Sequence, residues 1–170
     1  ASLITRVRTG EPLETCVGRG TGLDDAGLAH RRALMQKALG RANLPADADV
    51  MTVLTEFGGF EIVMMVGAYL AAAEAGITIL GDGVIATSAL LAATRIEPKV
   101  RDYVVFCHKS AEAGHIVQLQ ALGAKPLLDI GMRLGEGTGA MVAYPLLCSA
   151  LAFMNQMASF ESAGVSQRIR

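Results

Sequence analysis

The sequence predicts an α/β fold, a three-layer α/β/α arrangement around a parallel, Rossmann-like sheet, and three observations carry that prediction. Two short runs, Ile77-Thr78-Ile79-Leu80 and Tyr103-Val104-Val105-Phe106-Cys107, are apolar and rich in β-branched residues, as strands buried on both faces are. Each ends in a tight turn, Gly81-Asp82-Gly83 or His108-Lys109-Ser110. Each turn then feeds a helical segment, and strand, turn and helix in repetition mark layers built on a parallel sheet. Such sheets bind ligands at the carboxyl ends of their strands, so these two turns are the first places to look for a site.

The remaining elements follow in order. Residues 1–9 suit the end of a helix, stopped by Thr9-Gly10-Glu11-Pro12. The run Val17-Gly18-Arg19-Gly20-Thr21-Gly22 is too glycine-rich for a regular element, and Asp24-Asp25 can cap a helix reaching about Gly40. In that helix Leu28, Leu34, Met35, Ala38 and Leu39 form a partial apolar face. Pro45 to Asp49 breaks the chain before a short helix, Val50 to Glu56, and Gly58-Gly59 separates it from a long apolar one, Phe60 to Ala75. Helices are expected from Ile85 to Arg95 and, after Glu97-Pro98, to Arg101. Another runs from Ala113 to Leu122, and the last, opened by Gly135-Glu136-Gly137-Thr138-Gly139, reaches about Met157. Leu127-Leu128-Asp129-Ile130 reads as a third strand or an irregular turn. No internal repeat or linker divides the chain, so residues 1–170 belong to one domain.

Composition narrows the function classes. Apolar residues make up 52% of 170 and mean hydropathy is +0.41, which excludes a disordered chain. Charge is balanced, with 15 basic against 16 acidic residues, and no basic stripe offers nucleic acid a footprint. The pairs Arg31-Arg32 and Arg168/Arg170 read as helix ends and solvated faces. Cys16, Cys107 and Cys148 are scattered and read as buried thiols of a reducing, cytoplasmic compartment. Neither they nor His30, His108 and His115 have metal-ligand spacing. Ile62–Ala73 and Gly137–Phe153 are apolar but fall short of a comfortable membrane span, and Pro145 interrupts the second. Both are expected to be buried in a core or against a partner subunit. Met64, Met65 and Met154 read as core filler. Ala1-Ser2-Leu3-Ile4 lacks Met and any signal architecture, and reads as a cut edge inside a helix.

The sharpest candidate site is Gly135-Glu136-Gly137-Thr138-Gly139. Flanking glycines admit a ligand to the backbone, and the helix that follows offers free N–H groups. A carboxylate stands where a Walker A loop needs lysine. Two readings of Glu136 stand: a general base whose burial raises its pKa, or a capping carboxylate near Thr138. Gly18, Gly20 and Gly22 read as a phosphate cradle or as a plain surface loop. Asp82 can hold ribose hydroxyls or close an Asx-turn. Ser110 can donate to an anion or cap a helix, and Glu61 is most simply a first-turn carboxylate. His108 and His115 read as structural.

At Asp129-Ile130-Gly131-Met132-Arg133-Leu134-Gly135-Glu136-Gly137-Thr138-Gly139-Ala140 the chain resembles the nicotinate-nucleotide:dimethylbenzimidazole phosphoribosyltransferases. The same resemblance runs, in order, through the 17–25 glycine run, Phe57-Gly58-Gly59-Phe60-Glu61-Ile62 and Gly81-Asp82-Gly83-Val84-Ile85-Ala86-Thr87. It continues through 108–115 and Phe160-Glu161-Ser162-Ala163-Gly164-Val165. It implies transfer of the phosphoribosyl group of nicotinate mononucleotide to 5,6-dimethylbenzimidazole, giving α-ribazole 5′-phosphate and nicotinate for the lower ligand of cobalamin. It further implies that Glu136 is the base, with no metal and no cofactor. Gly20, Gly22, Asp82, Gly83, Ser110, Leu134 and Gly135 line the nucleotide site on this basis, with Glu61 beside them. Arg31 or Arg32 stands where the family usually shows lysine, keeping charge while changing geometry.

By the same resemblance the chain is the C-terminal half of a single domain, its sheet incomplete on the N-terminal side. Much of the benzimidazole pocket and a Gly-Ile-Gly-Asn-Thr-type phosphate loop belong to the absent half. The partners implied are the two substrates, that half or a polypeptide supplying it, and a second copy in a homodimer. Poor catalysis by the 170-residue chain alone is expected. The competing readings are a non-catalytic nucleotide-binding or interaction module of this family, an inactive fragment, or an enzyme acting on another azole base.

Overall fold

The computed structural model describes residues 1–20, 22–45 and 47–164; Thr21, Val165, Arg168 and Arg170 lie outside them. Helices dominate. The first are α1 (Ser2–Thr9), α2 (Leu13–Cys16), α3 (Asp25–Ala42), α4 (Val50–Phe57) and α5 (Phe60–Glu74). Strand β1 (Ile79–Gly81), α6 (Val84–Ile96), a 3-10 turn over Pro98–Tyr103 and strand β2 (Val104–Phe106) form the centre. Helices α7 (Ala113–Ala121) and α8 (Thr138–Gln156) close the chain.

Local chemistry accounts for the boundaries. Asp24 accepts the Gly27 N–H at 2.7 Å and starts α3, while Asp49 accepts the N–H groups of Met51 (2.9 Å) and Thr52 (3.1 Å) and starts α4. Gly10 ends α1 in the left-handed region (φ +76°). Ile77, expected to open the first strand, instead closes α5. With Gly76 left-handed, the Gly76 N–H reaches Ala73 O at 3.1 Å and the Ile77 N–H reaches Ala72 O at 2.8 Å, the paired bonds of a Schellman cap.

The two strands are parallel, with Ile79 opposite Val104 and Gly81 opposite Phe106, and α6 makes the crossover that parallel pairing requires. The expected third strand is a single parallel bridge between His108 and Leu128. Leu127 and Leu128 donate to Phe106 O (2.9 Å) and Cys107 O (3.1 Å), and Lys109 donates back to Leu128 O at 2.8 Å. Within the described residues the result is a helix-rich, incomplete α/β fold around a small parallel sheet.

The core gathers on α6, whose residues Thr87 to Ala93 are all buried. Ile62, Val66 and Ala73 of α5, Ile4 of α1 and Leu119 of α7 pack around it. Buried Gln118 ties three helices, donating to Thr5 Oγ1 at 2.8 Å and to Val84 O at 2.9 Å.

Several burial expectations are corrected. Met64 is 72% and Met154 83% exposed, so neither fills a core; Met65 packs at its margin. No residue of α3 is fully buried; in its partial apolar face Leu28, Met35, Ala38 and Leu39 are half-buried and Leu34 is exposed. In α8 only Gly139 and Ala143 are buried, and α5 leaves Phe60 and Val63 exposed. Cys16 and Cys107 are buried but Cys148 is exposed. Burial, with Asp82 nearby, pushes the Cys107 thiol up to about 11. By length and composition α8 could cross a membrane (19 residues, hydropathy 1.3), so the expectation that this segment is too short does not hold.

Candidate active site

Asp82 follows β1 at the carboxyl edge of the sheet and reaches across to the start of α8. Its Oδ2 accepts the Gly137 N–H at 3.1 Å and its Oδ1 the Ala140 N–H at 3.2 Å. This carboxylate therefore caps α8, which has no capping side chain of its own, and satisfies two donors that a helix start leaves unpaired. The sheet edge and the last helix are joined through one side chain. Gly139 is obligatory at that junction, because a Cβ there would run into His108 Nδ1 and Asp82 Oδ1.

Glu136 sits on the turn so pinned. Thr138 closes it, donating from N (3.2 Å) and from Oγ1 (2.8 Å) to Gly135 O. Glu136 has φ +63° and Gly137 φ +82°, two successive left-handed residues. For glutamate that conformation costs roughly 1–2 kcal/mol, strain of the kind found at functional sites. Since Asp82 does the capping, the capping reading of Glu136 is removed. Among the described residues its carboxylate makes no hydrogen bond or ion pair. The apolar enclosure expected around it is also missing, for Glu136 is exposed.

Beside this turn lies a cleft of about 460 Å³, a size suited to a small-molecule ligand. Gly20, Arg31, Glu61, Gly83, Ser110, Leu134 and Gly135 line it, so residues far apart in the sequence meet on one wall. Gly22, Arg32, Asp82 and Glu136 do not line it; Asp82 and Glu136 adjoin it through Gly83 and Gly135. Geometry separates the two arginines. Arg31 Nη1 donates to Gly18 O at 3.1 Å on the cleft side, whereas Arg32 Nη2 turns to Glu14 O at 3.1 Å and lines the neighbouring cleft.

Two residues absent from the sequence-derived site join this wall. Arg133 Nη2 lies 3.4 Å from Gly20 O and 3.5 Å from Glu112 Oε1, and both Arg133 and Glu112 line the cleft. Glu112 also lies so close to Gly18 that a Cβ there would strike its carboxylate. Such an ion pair resembles any surface pair in sequence; only its neighbours in the two glycine turns signal a site.

The turn carrying Ser110 is held from beneath by His115. Its Nδ1 accepts the Ser110 N–H at 3.0 Å, and its Nε2 stands 3.0 Å from Thr87 Oγ1. An Nδ1 that accepts must be unprotonated, which assigns the proton to Nε2. Burial, reinforced by neighbouring His108 and opposed by Asp82, lowers the His115 pKa to about 4. Among the described residues no group of three or more His, Cys, Asp or Glu is placed to hold a metal ion.

The fold and this cleft define an α/β protein with a cleft of small-molecule size at the carboxyl edge of a parallel sheet, lined by Glu61 and Glu112 and with Glu136 at its rim. The chain belongs to the phosphoribosyltransferase family, whose model, described by that word, matches residues 1–165. It is 62% identical over 169 residues to a nicotinate-nucleotide–dimethylbenzimidazole phosphoribosyltransferase of Dechloromonas aromatica strain RCB, covering 99% of this chain and 49% of that protein. A protein of the same name from Cupriavidus necator is 57% identical over 98% of this chain and 47% of its own length. The crystal structure of CobT from Thermus thermophilus superposes with a TM-score of 0.91 at 42% identity, covering 98% of this chain and 49% of that one. The chain thus spans about half the length of the curated relatives it matches.

Proposed function

We propose that this chain forms the nucleotide wall and carries the base of an enzyme that transfers phosphoribose from nicotinate mononucleotide to 5,6-dimethylbenzimidazole. The relatives' names supply the two substrates. The observation that carries the base assignment is Glu136, held left-handed on a turn pinned by Asp82 and left without a partner. Its carboxylate takes the N–H proton of the benzimidazole as the azole nitrogen bonds to the anomeric carbon of the ribose. The bond from that carbon to the pyridinium nitrogen breaks, and its electron pair neutralises the leaving nicotinate. The departing group needs no proton, so one carboxylate suffices. Attack from the face opposite the leaving group converts the β-nucleotide to the α-ribazole phosphate.

Arg31 and Arg133 supply the cations for the phosphate, with Ser110 and the backbone of Gly20 and Gly83 as lesser contacts. Asp82 serves as the capping carboxylate that positions Glu136, in place of the ribose contact expected from the sequence. The exposed surfaces of α3 and α8 accept the complementary half and a second copy of the chain, and the assembly works in the cytoplasm. No metal or cofactor enters this scheme.

The test joins this chain to the N-terminal half of the Dechloromonas relative and replaces Glu136 by Gln. Loss of a positioned base lowers kcat by about 10²–10⁴-fold with KM for both substrates nearly kept. Full turnover by E136Q refutes the assignment. Absence of α-ribazole phosphate from the joined wild type, with both substrates bound, points to the binding-module reading instead.

A further inference from the structure

His108 is the buried polar side chain for which the proposed chemistry has no use. Its residue is 1% exposed and lines the cleft, yet neither ring nitrogen has a hydrogen-bond partner. Leaving a buried donor or acceptor unpaired costs on the order of 1–3 kcal/mol. Its neighbour His115, with ring centroids 5.7 Å apart, has both nitrogens engaged, so the two rings differ in this respect.

The nearest polar atom points to its role. Nδ1 lies 3.5 Å from Asp82 Oδ1, just beyond a good hydrogen bond. That same oxygen accepts the Ala140 N–H, while the other holds Gly137, the residue after Glu136. A carboxylate offers about four lone-pair sites, so a third donor fits beside the two amides. Catalytic hydrogen bonds are often long in an empty site and tighten when substrate fills it.

We propose that His108 is a positioning residue for Glu136, donating from Nδ1 to Asp82 Oδ1 and thereby fixing the carboxylate that pins the Glu136 turn. The inference rests on the reading of Glu136 as the base. At the present 3.5 Å Asp82 already reaches both amides, so closing the bond restrains a carboxylate that is in place and, through it, the left-handed turn. His108 itself touches no reacting atom in this scheme.

Amide hydrogen exchange at Gly137 and Ala140 tests the link in the chain joined to its relative's N-terminal half, with nicotinate mononucleotide bound. His108→Ala is expected to speed exchange there by about tenfold or more relative to the α3 amides. His108→Asn, which places an amide N–H near the Nδ1 position, is expected to stay within about threefold of wild type. In the same joined chain, His108→Ala lowers kcat by about tenfold or more, with KM for nicotinate mononucleotide little changed. Asn restores kcat and Gln, whose amide falls near Nε2, does not.

Unchanged exchange at both amides in His108→Ala overturns the proposal. So does a rise in KM with kcat intact, or rescue by Gln rather than Asn, both of which mark a substrate contact through Nε2. If His108→Ala fails to fold, the Asn and Gln variants decide by the same criteria. Full turnover by E136Q would remove the base assignment while the exchange experiment still judges the His108–Asp82 link.

Discussion

Replacing Asp82 by Asn isolates the contact on which the site's geometry depends. The two side chains have the same shape, but Asn keeps one acceptor oxygen where Asp82 presents two, to Gly137 N at 3.1 Å and Ala140 N at 3.2 Å. One charge-assisted hydrogen bond is lost, about 1.5–3 kcal/mol, together with the carboxylate's favourable interaction with the helix start, about 0.3–1 kcal/mol. The side chain is only 14% exposed, so solvent replaces little of this. The expected total is about 2–4 kcal/mol. Because α8 buries only Gly139 and Ala143, the loss is local and is read by amide exchange instead of by global melting. Two kcal/mol corresponds to about 30-fold faster exchange at Gly137 and Ala140. In the joined enzyme kcat falls by about 10- to 100-fold while KM for nicotinate mononucleotide holds. Exchange accelerated by less than about threefold refutes the tether. A raised KM with kcat intact refutes the positioning role and restores Asp82 as a ribose ligand.

Arg31→Ala, which removes a cleft-lining cation, raises KM for the nucleotide by about 10- to 100-fold through loss of one phosphate contact. Arg32→Ala leaves it unchanged, and equal effects of the two would show that the choice between them is wrong. For His115 the folded pKa of about 4 lies below the unfolded 6.5, so the unfolded chain takes the proton first. Its contribution to stability is complete above pH 6.5 and is lost as pH falls toward 4, by about 3 kcal/mol in all. An imidazole titration followed by NMR gives the midpoint directly, and a value near 6.5 contradicts the buried, neutral ring.

Much of the architecture was legible because local chemistry determines it. Asp24 and Asp49 announce helix starts, Gly10 announces a stop, and the β-branched runs lie where β1 and β2 form. β1 begins later than its apolar run because Ile77 is consumed in capping α5, and β2 begins later because Tyr103 ends the preceding 3-10 turn, contests between helix end and strand start that composition does not resolve. Burial was read less well. Met64, Met154 and most of α8 are apolar yet exposed, because hydropathy reports a need for cover without saying whether this chain supplies it. In the site, the glycine turns and Glu136 stand out from their neighbours in the sequence. Arg133 and Glu112 do not, since their meaning lies in meeting Gly18 and Gly20 from more than ninety positions away. His108 could not be told from His115 either; one has both nitrogens satisfied and the other has neither.

The left-handed turn at Glu136 sets folding and chemistry at odds. Glycine accepts φ +63° freely, whereas glutamate there carries roughly 1–2 kcal/mol of strain. Glu136→Gly is therefore expected to make the turn more robust while removing the base proposed for the transfer. Directed evolution of this domain for heat resistance alone would drift toward that sterile solution. Under the proposed function, the carboxylate answers a demand that folding does not make.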